Sequence, residues 1–245
     1  MSVPFTEIKS HIRPFDIIAF KGGNLVSSLI STFEEFETDH GEFSHVGMVI
    51  TKDILECIHT KDTYFKLKKN VLYIVESTRS AEGSIPDIAT GNFKFGVQLR
   101  ELTDVITNYL SHPNSKVAWC KLKDNPIDAK IHLLKIKFSK IFHSLYGKHY
   151  DMSLLALAAA MFPSLRTIRD TKDEMCTLIY EKCGLKMASG CPSEWQFCSE
   201  IIAEIYKEFG VWGDECNPKD VLPVDFFGYD TDGLKNVIES TIYIH

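Results

Sequence analysis

The sequence has no long hydrophobic run, no excess of basic charge, no closely spaced cysteine pairs and no internal repeat. Its longest apolar stretch, residues 152–163 (MSLLALAAAMFP), is 12 residues long. A membrane-spanning helix needs ~20, so no transmembrane segment is expected. Lys and Arg number 27 against 33 Asp and Glu, for a formal net charge of -6. The broad basic surface of a general nucleic-acid binder is therefore missing, and no nucleic-acid partner is expected. The opening stretch MSVPFTEIKSHIRPF carries Glu7 and His11 without an apolar segment, unlike a secretory signal. The seven cysteines are odd in number and do not follow a small secreted disulfide framework. Together these point to a reducing, cytoplasm-like compartment and free thiols. Cys176, Cys183, Cys191 and Cys198 are separated by six, seven and six residues. Structural zinc sites favour gaps of roughly two to four, so neither a metal nor another cofactor is expected.

What is present suits a globular protein with a substantial core: 44% apolar and 24% charged residues. A length of 245 residues fits one domain with an insertion. The first half reads as strands. Residues 16–20 (DIIAF) end in the turn signal Lys21-Gly22-Gly23, and residues 44–50 (SHVGMVI) are rich in β-branched side chains. Residues 71–77 (VLYIVES), 97–100 (VQLR) and 117–122 (VAWCKL) follow as further strands. A helix capped by Asn24 is expected over residues 25–36. The second half reads as helical. Residues 128–145 carry Ile131, Leu134, Ile136, Phe138, Ile141, Phe142 and Leu145, close to one helical stripe. Residues 151–165 suggest a buried helix, and residues 166–196 an insertion. Residues 199–209 (SEIIAEIYKEF) form a clear amphipathic helix closed by Gly210. Strands grouped ahead of helices predict an α+β fold.

Cys198 falls just before that last helix. Unpaired N–H groups and the positive dipole end at a helix start stabilise a thiolate and supply donors for an oxyanion. A cysteine there can equally be a small buried hydrophobe. A thiolate nucleophile needs a proton carrier, ordinarily a histidine held by a third polar group. His45 is the best placed, at the start of an apolar strand; His149, beside Tyr150, competes. Glu76 ends VLYIVES, and alternation puts it on one face with Leu72 and Ile74. A carboxylate in line with core residues needs a partner, unless it faces water at an edge.

Seven segments occur in order: FDIIAF, FSHVGMVI, VLYIVESTRS, GVQLREL, LYGKHYDMSLL, FCSEIIAEIY and NPKDVLPVDFF. This series resembles the circularly permuted NlpC-type papain-like family, close to its YiiX-like branch and related poxvirus proteins. The matched segments span residues 15–227. The resemblance implies a permuted papain-like fold: a small antiparallel sheet or barrel packed against helices, with the nucleophile at a helix N-terminus. It covers residues 1–245 as a single domain, with the insertion at 166–196. By the same resemblance Cys198 is the nucleophile, His45 the base and Glu76 the third polar residue. Tyr150 and Ser199 would serve substrate binding or the oxyanion, and Asp16 would be structural. The long segments 33–43 and 166–196 depart from the pattern.

The implied function is a cysteine hydrolase cleaving a peptide, isopeptide or N-acyl amino acid bond through an acyl-enzyme. A lipid or thioester deacylase or acyltransferase on the same residues is the closest alternative. A non-catalytic binding or virion-structural module retaining the fold is the second, and a redox or metal protein built on the cysteine-rich insertion is a third.

Overall fold

A computed structural model describes residues 2–22, 43–55, 67–79, 85–93, 95–123, 125, 127–146, 148–150, 195–196, 198–227 and 237–245. The expected helices over residues 25–36 and 151–165 lie outside this set, as does the expected insertion except for residues 195–196.

Nine strands appear among the described residues: β1 (Ser2–Val3), β2 (Ile17–Lys21), β3 (His45–Thr51), β4 (Leu72–Arg79), β5 (Phe95–Glu101), β6 (Lys116–Leu122), β7 (His149–Tyr150), β8 (Trp195–Gln196) and β9 (Ile238–Ile244). Five α-helices accompany them: α1 (Phe5–Ile8), α2 (Lys52–Leu55), α3 (Leu102–Leu110), α4 (Ile127–Leu145) and α5 (Cys198–Glu208). Seven strands form one sheet in the order β1-β9-β6-β2-β3-β4-β5, and β7 and β8 pair separately. Every contact within the large sheet is antiparallel except β1 with β9.

The fold is therefore α+β, but its sheet is neither small, nor wholly antiparallel, nor a barrel. It is an open, mixed, seven-stranded sheet, because β1 and β9 extend it beyond β6. The β9 segment (IESTIYI) escapes sequence reading because polar Glu239, Ser240 and Thr241 interrupt its apolar residues. Helix α3 was likewise not anticipated.

Both sheet faces are covered, which is why DIIAF and SHVGMVI read as near-continuous apolar runs. Ile18, Phe20, Val49, Ile74, Val117 and Trp119 pack with Ile8 of α1 and with Leu102, Val105 and Ile106 of α3. Ile17, Ala19, Val46, Met48, Val75 and Leu99 face α2, α4 and α5. On α4, Leu134, Phe138, Phe142 and Leu145 are buried, while Ile136 is 54% exposed. Two residues from Leu134 is about 200° around a helix, so Ile136 does not belong to the stripe.

The lead-in to β2 ties the helix bearing Cys198 to the sheet. Phe15 has φ 72; its N–H donates to the Val49 carbonyl at 2.7 Å, and the Val49 N–H donates to the Asp16 carbonyl at 2.8 Å. Two residues on one strand facing one on the next is a β-bulge. Asp16, fully buried there, accepts from the Arg13 N–H, the Trp119 ring N–H and the Leu122 N–H at 2.9, 2.9 and 3.0 Å. That is a structural role. The Phe15 carbonyl accepts from the Tyr206 hydroxyl of α5 at 2.7 Å, and the Phe15 ring packs edge-on against Phe209 at 5.1 Å. Gly210, at φ 70, then ends the α5 region with the left-handed turn that glycine adopts at little cost.

Candidate active site

The β3–β4 ladder runs from Thr51↔Leu72 to Met48↔Val75 and stops, although β4 pairs with β5 as far as Arg79↔Phe95. His45, Val46 and Gly47 therefore lie beyond the β4 pairing, and α5 packs against both strands. In this opening Cys198, the first residue of α5, meets His45, the first residue of β3. The thiol hydrogen-bonds to the His45 side chain and accepts the backbone N–H groups of Val46 and Ser199. The Val46 N–H would otherwise serve a longer ladder, so ending the ladder early supplies a donor to the thiol.

His45 Nε2 bonds Glu76 Oε2 at 2.6 Å, with both side chains buried. That leaves Nδ1 as the ring nitrogen for Cys198. Glu76 is fully buried. Its other oxygen, Oε1, accepts from Arg100 Nε at 2.7 Å and from Arg100 Nη2. Gln98 sits opposite Glu76 on β5. Arg100, two residues on and on the same face, reaches back diagonally. Arg100 Nη1 also donates to the Ile85 carbonyl at 3.4 Å. The polar chain therefore runs Cys198–His45–Glu76–Arg100, across α5, β3, β4 and β5.

Aromatic rings brace the imidazole. Phe20 lies 5.6 Å from His45, and Tyr109 of α3 lies nearly parallel to it at 6.5 Å and 6°. Phe20 and Tyr109 stack on one another at 4.3 Å. Gly47 keeps this side of the sheet open. A Cβ there would meet Ile74 Cδ1, would lie 2.6 Å from Ile74 Cγ1 and 3.3 Å from the Cβ of Glu76.

These contacts set the charges. Burial opposes a Cys198 thiolate, but the facing His45 and the two backbone donors outweigh it and hold the thiol below its ordinary range. Burial also opposes a charged His45, yet Tyr109, Cys198 and Glu76 together raise its pKa well above normal. Glu76 would be pushed up by burial; Arg100 and His45 reverse this and hold it below the usual glutamate range. Burial raises Tyr109. The arrangement favours a thiolate beside an imidazolium, backed by a carboxylate. Cys120 shows the contrast: buried in the sheet, its thiol is pushed up to about 12.

Of the residues singled out in the sequence, Cys198, His45 and Glu76 come together. Ser199 is buried beside them and contributes its backbone N–H. Tyr150 lies in β7, but its side chain is outside the described residues, as is that of His149. His112 and His143 are exposed. Cys57, Cys176, Cys183 and Cys191 lie outside the described residues. Sequence reading missed Arg100 and Tyr109. A signal for Arg100 existed, since Gln98 and Arg100 alternate with the apolar Val97 and Leu99 just as Glu76 alternates with Val75. Tyr109 gave none, because it belongs to the unanticipated helix.

Among the described residues no helix is long and apolar enough to cross a membrane, and no group of three His, Cys, Asp or Glu side chains is placed to hold a metal ion. No protein-family model matches the chain, and no curated protein matches it. Among solved structures it is similar to the crystal structure of the metalloprotein yiiX from Escherichia coli O157:H7, at 15% identity and a TM-score of 0.42, covering 94% of this chain and 87% of that one.

Proposed function

We propose that the protein is a cysteine hydrolase that cleaves an amide bond, in a peptide, an isopeptide or an N-acyl amino acid. The observation that carries this reading is the His45 ring held between the Cys198 thiol and the buried Glu76 carboxylate. In the proposed reaction the Cys198 sulfur attacks the carbonyl carbon, and the first-turn N–H groups of α5 receive the developing oxyanion. His45, already carrying the thiol proton, passes it to the leaving amine as the C–N bond breaks. A water then gives a proton to His45 and attacks the thioester, releasing the acid and the thiolate. Glu76 orients the ring and stabilises its charged form. This reading places the chain with permuted papain-like enzymes, on the ordered motifs read from the sequence, and the chemistry suits a reducing compartment.

The test is a panel of warheads presented to the folded protein, some peptide-like and some bearing acyl chains, with adducts located by mass spectrometry. The expected result is a single adduct on Cys198 with peptide-like probes, lost in Cys198→Ser and strongly slowed in His45→Ala. Capture of acyl-chain probes alone would move the substrate to lipids or thioesters. No selective adduct on Cys198 from any probe would sink the enzyme reading in favour of a binding module.

A further inference from the structure

Beyond the three residues to which the proposed reaction assigns roles, one more charged side chain is built into the site. Arg100 is only 4% exposed, and it directs two of its nitrogens at one oxygen of a carboxylate that is itself fully buried. Buried charges are costly unless paired. A thiolate, an imidazolium and a carboxylate alone would leave one net negative charge in a dry site. With Arg100 the four groups form two opposite pairs and the sum is zero. The charged and titratable groups facing Glu76 are His45 from β3, Arg100 from β5 and Tyr109 from α3, while Cys198 of α5 faces His45. Of these only His45 and Arg100 bond the carboxylate, one on each oxygen. The division matters chemically. His45 must release its Nδ1 proton during the reaction, and at that moment it keeps its Nε2 bond to Glu76 but loses the positive charge that favours the carboxylate. Arg100 takes no part in that proton transfer and bonds the other oxygen through two nitrogens, so it holds the carboxylate throughout.

We infer that Arg100 is a positioning residue that keeps Glu76 ionised and aimed at His45, and so maintains the thiolate of Cys198. This rests on the nucleophile reading above, but its direct effect is on Glu76 and can be measured apart from any reaction. Removing the guanidinium lets Glu76 take up a proton at higher pH. The imidazolium then loses its anion, and the thiolate is lost at higher pH as well.

Two readouts on the full chain test it: the 13C-carboxyl titration of Glu76 by NMR, and the pH dependence of Cys198 alkylation by iodoacetamide. In Arg100→Met the Glu76 midpoint should rise by about one unit or more. The acidic limb of alkylation should rise with it, slowing labelling by about tenfold at pH values on that limb. Arg100→Lys, which keeps the charge, should restore most of both. Glu76→Gln/Arg100→Met, which removes both partners of the pair, should share the alkylation profile of Glu76→Gln, because Arg100 acts through Glu76. An unmoved Glu76 midpoint in a folded Arg100→Met overturns the inference. So does an Arg100→Met effect of equal size with and without Glu76. A wild-type Cys198 that ionises like an ordinary thiol overturns the nucleophile reading instead, and the Glu76 titration then judges Arg100 alone.

Discussion

Gly47 and Gly213 show how burial decides the cost of the same added methyl. At Gly47 a Cβ meets Ile74 and comes close to Glu76, both fully buried with nowhere to move. At Gly213 it meets only the carboxylate end of exposed Glu215, which can swing into water. Overpacking a core costs about 1–3 kcal/mol. Gly47→Ala should lower stability by about that much in urea unfolding and slow Cys198 alkylation, because Glu76 is displaced. Gly213→Ala should leave both nearly unchanged, within about 0.5 kcal/mol, as surface changes usually do. The sequence showed Gly47 only as part of SHVG. Its need for a missing side chain became visible once Ile74 and Glu76 were seen across from it. Cys198 and His45 were legible because each opens a strongly patterned element, and Glu76 because a carboxylate falls in line with the core residues of its strand. Arg100 was harder to see, since an arginine near the end of a short strand ordinarily faces water, and here α3 packs against its strand.

Helix α5 and the opening between β3 and β4 must be held in register for the thiol to meet the imidazole. The Tyr206 hydroxyl, buried against the bulge at Phe15, is the tie. Tyr206→Phe would leave the Phe15 carbonyl unpaired in the core. A buried acceptor left unsatisfied costs about 1–3 kcal/mol, so a loss of that size is expected in urea unfolding. A weaker tie should also slow Cys198 alkylation by iodoacetamide at pH 6, because helix and strand no longer meet squarely. An unchanged alkylation rate would show that other contacts fix the helix. The strands of the first half and α5 were legible by alternation and by the 3.6-residue period. What was not legible was where pairing stops. The end of the β3–β4 ladder at Met48↔Val75 depends on α5 arriving from more than a hundred residues away, and local pattern carries no trace of it. The β9 strand was hidden for a related reason: it is partly exposed, and it gains its strand character from its β6 neighbour.

For the whole molecule, the site makes a specific statement about pH. Glu76 is held below its unfolded value of ~4.3, so its contribution to stability is present above that value and is lost as pH falls through the folded one. At pH 7, Glu76→Gln leaves a buried arginine without its anion, and breaking such a pair costs about 3–5 kcal/mol. The gap between wild type and Glu76→Gln in urea unfolding should therefore be widest near neutrality and shrink below about pH 4. Cys198 and His45 behave differently. Between about pH 6.5 and 8.5 the folded pair holds one proton, on the imidazole, and the unfolded pair also holds one, on the thiol. Their opposite shifts nearly cancel in stability, while the reactivity of the thiol changes greatly.

Reactivity is therefore the quantity that reads the central claim, a thiolate at Cys198 sustained by His45 and Glu76. The measurement is the rate of Cys198 alkylation by iodoacetamide across pH 4 to 10 in the folded protein, followed at that residue by mass spectrometry. The account predicts a rise to a plateau with its midpoint well below ~8.5, with Cys120 unlabelled throughout. A midpoint at or above ~8.5, or labelling of Cys198 only after unfolding, would contradict it.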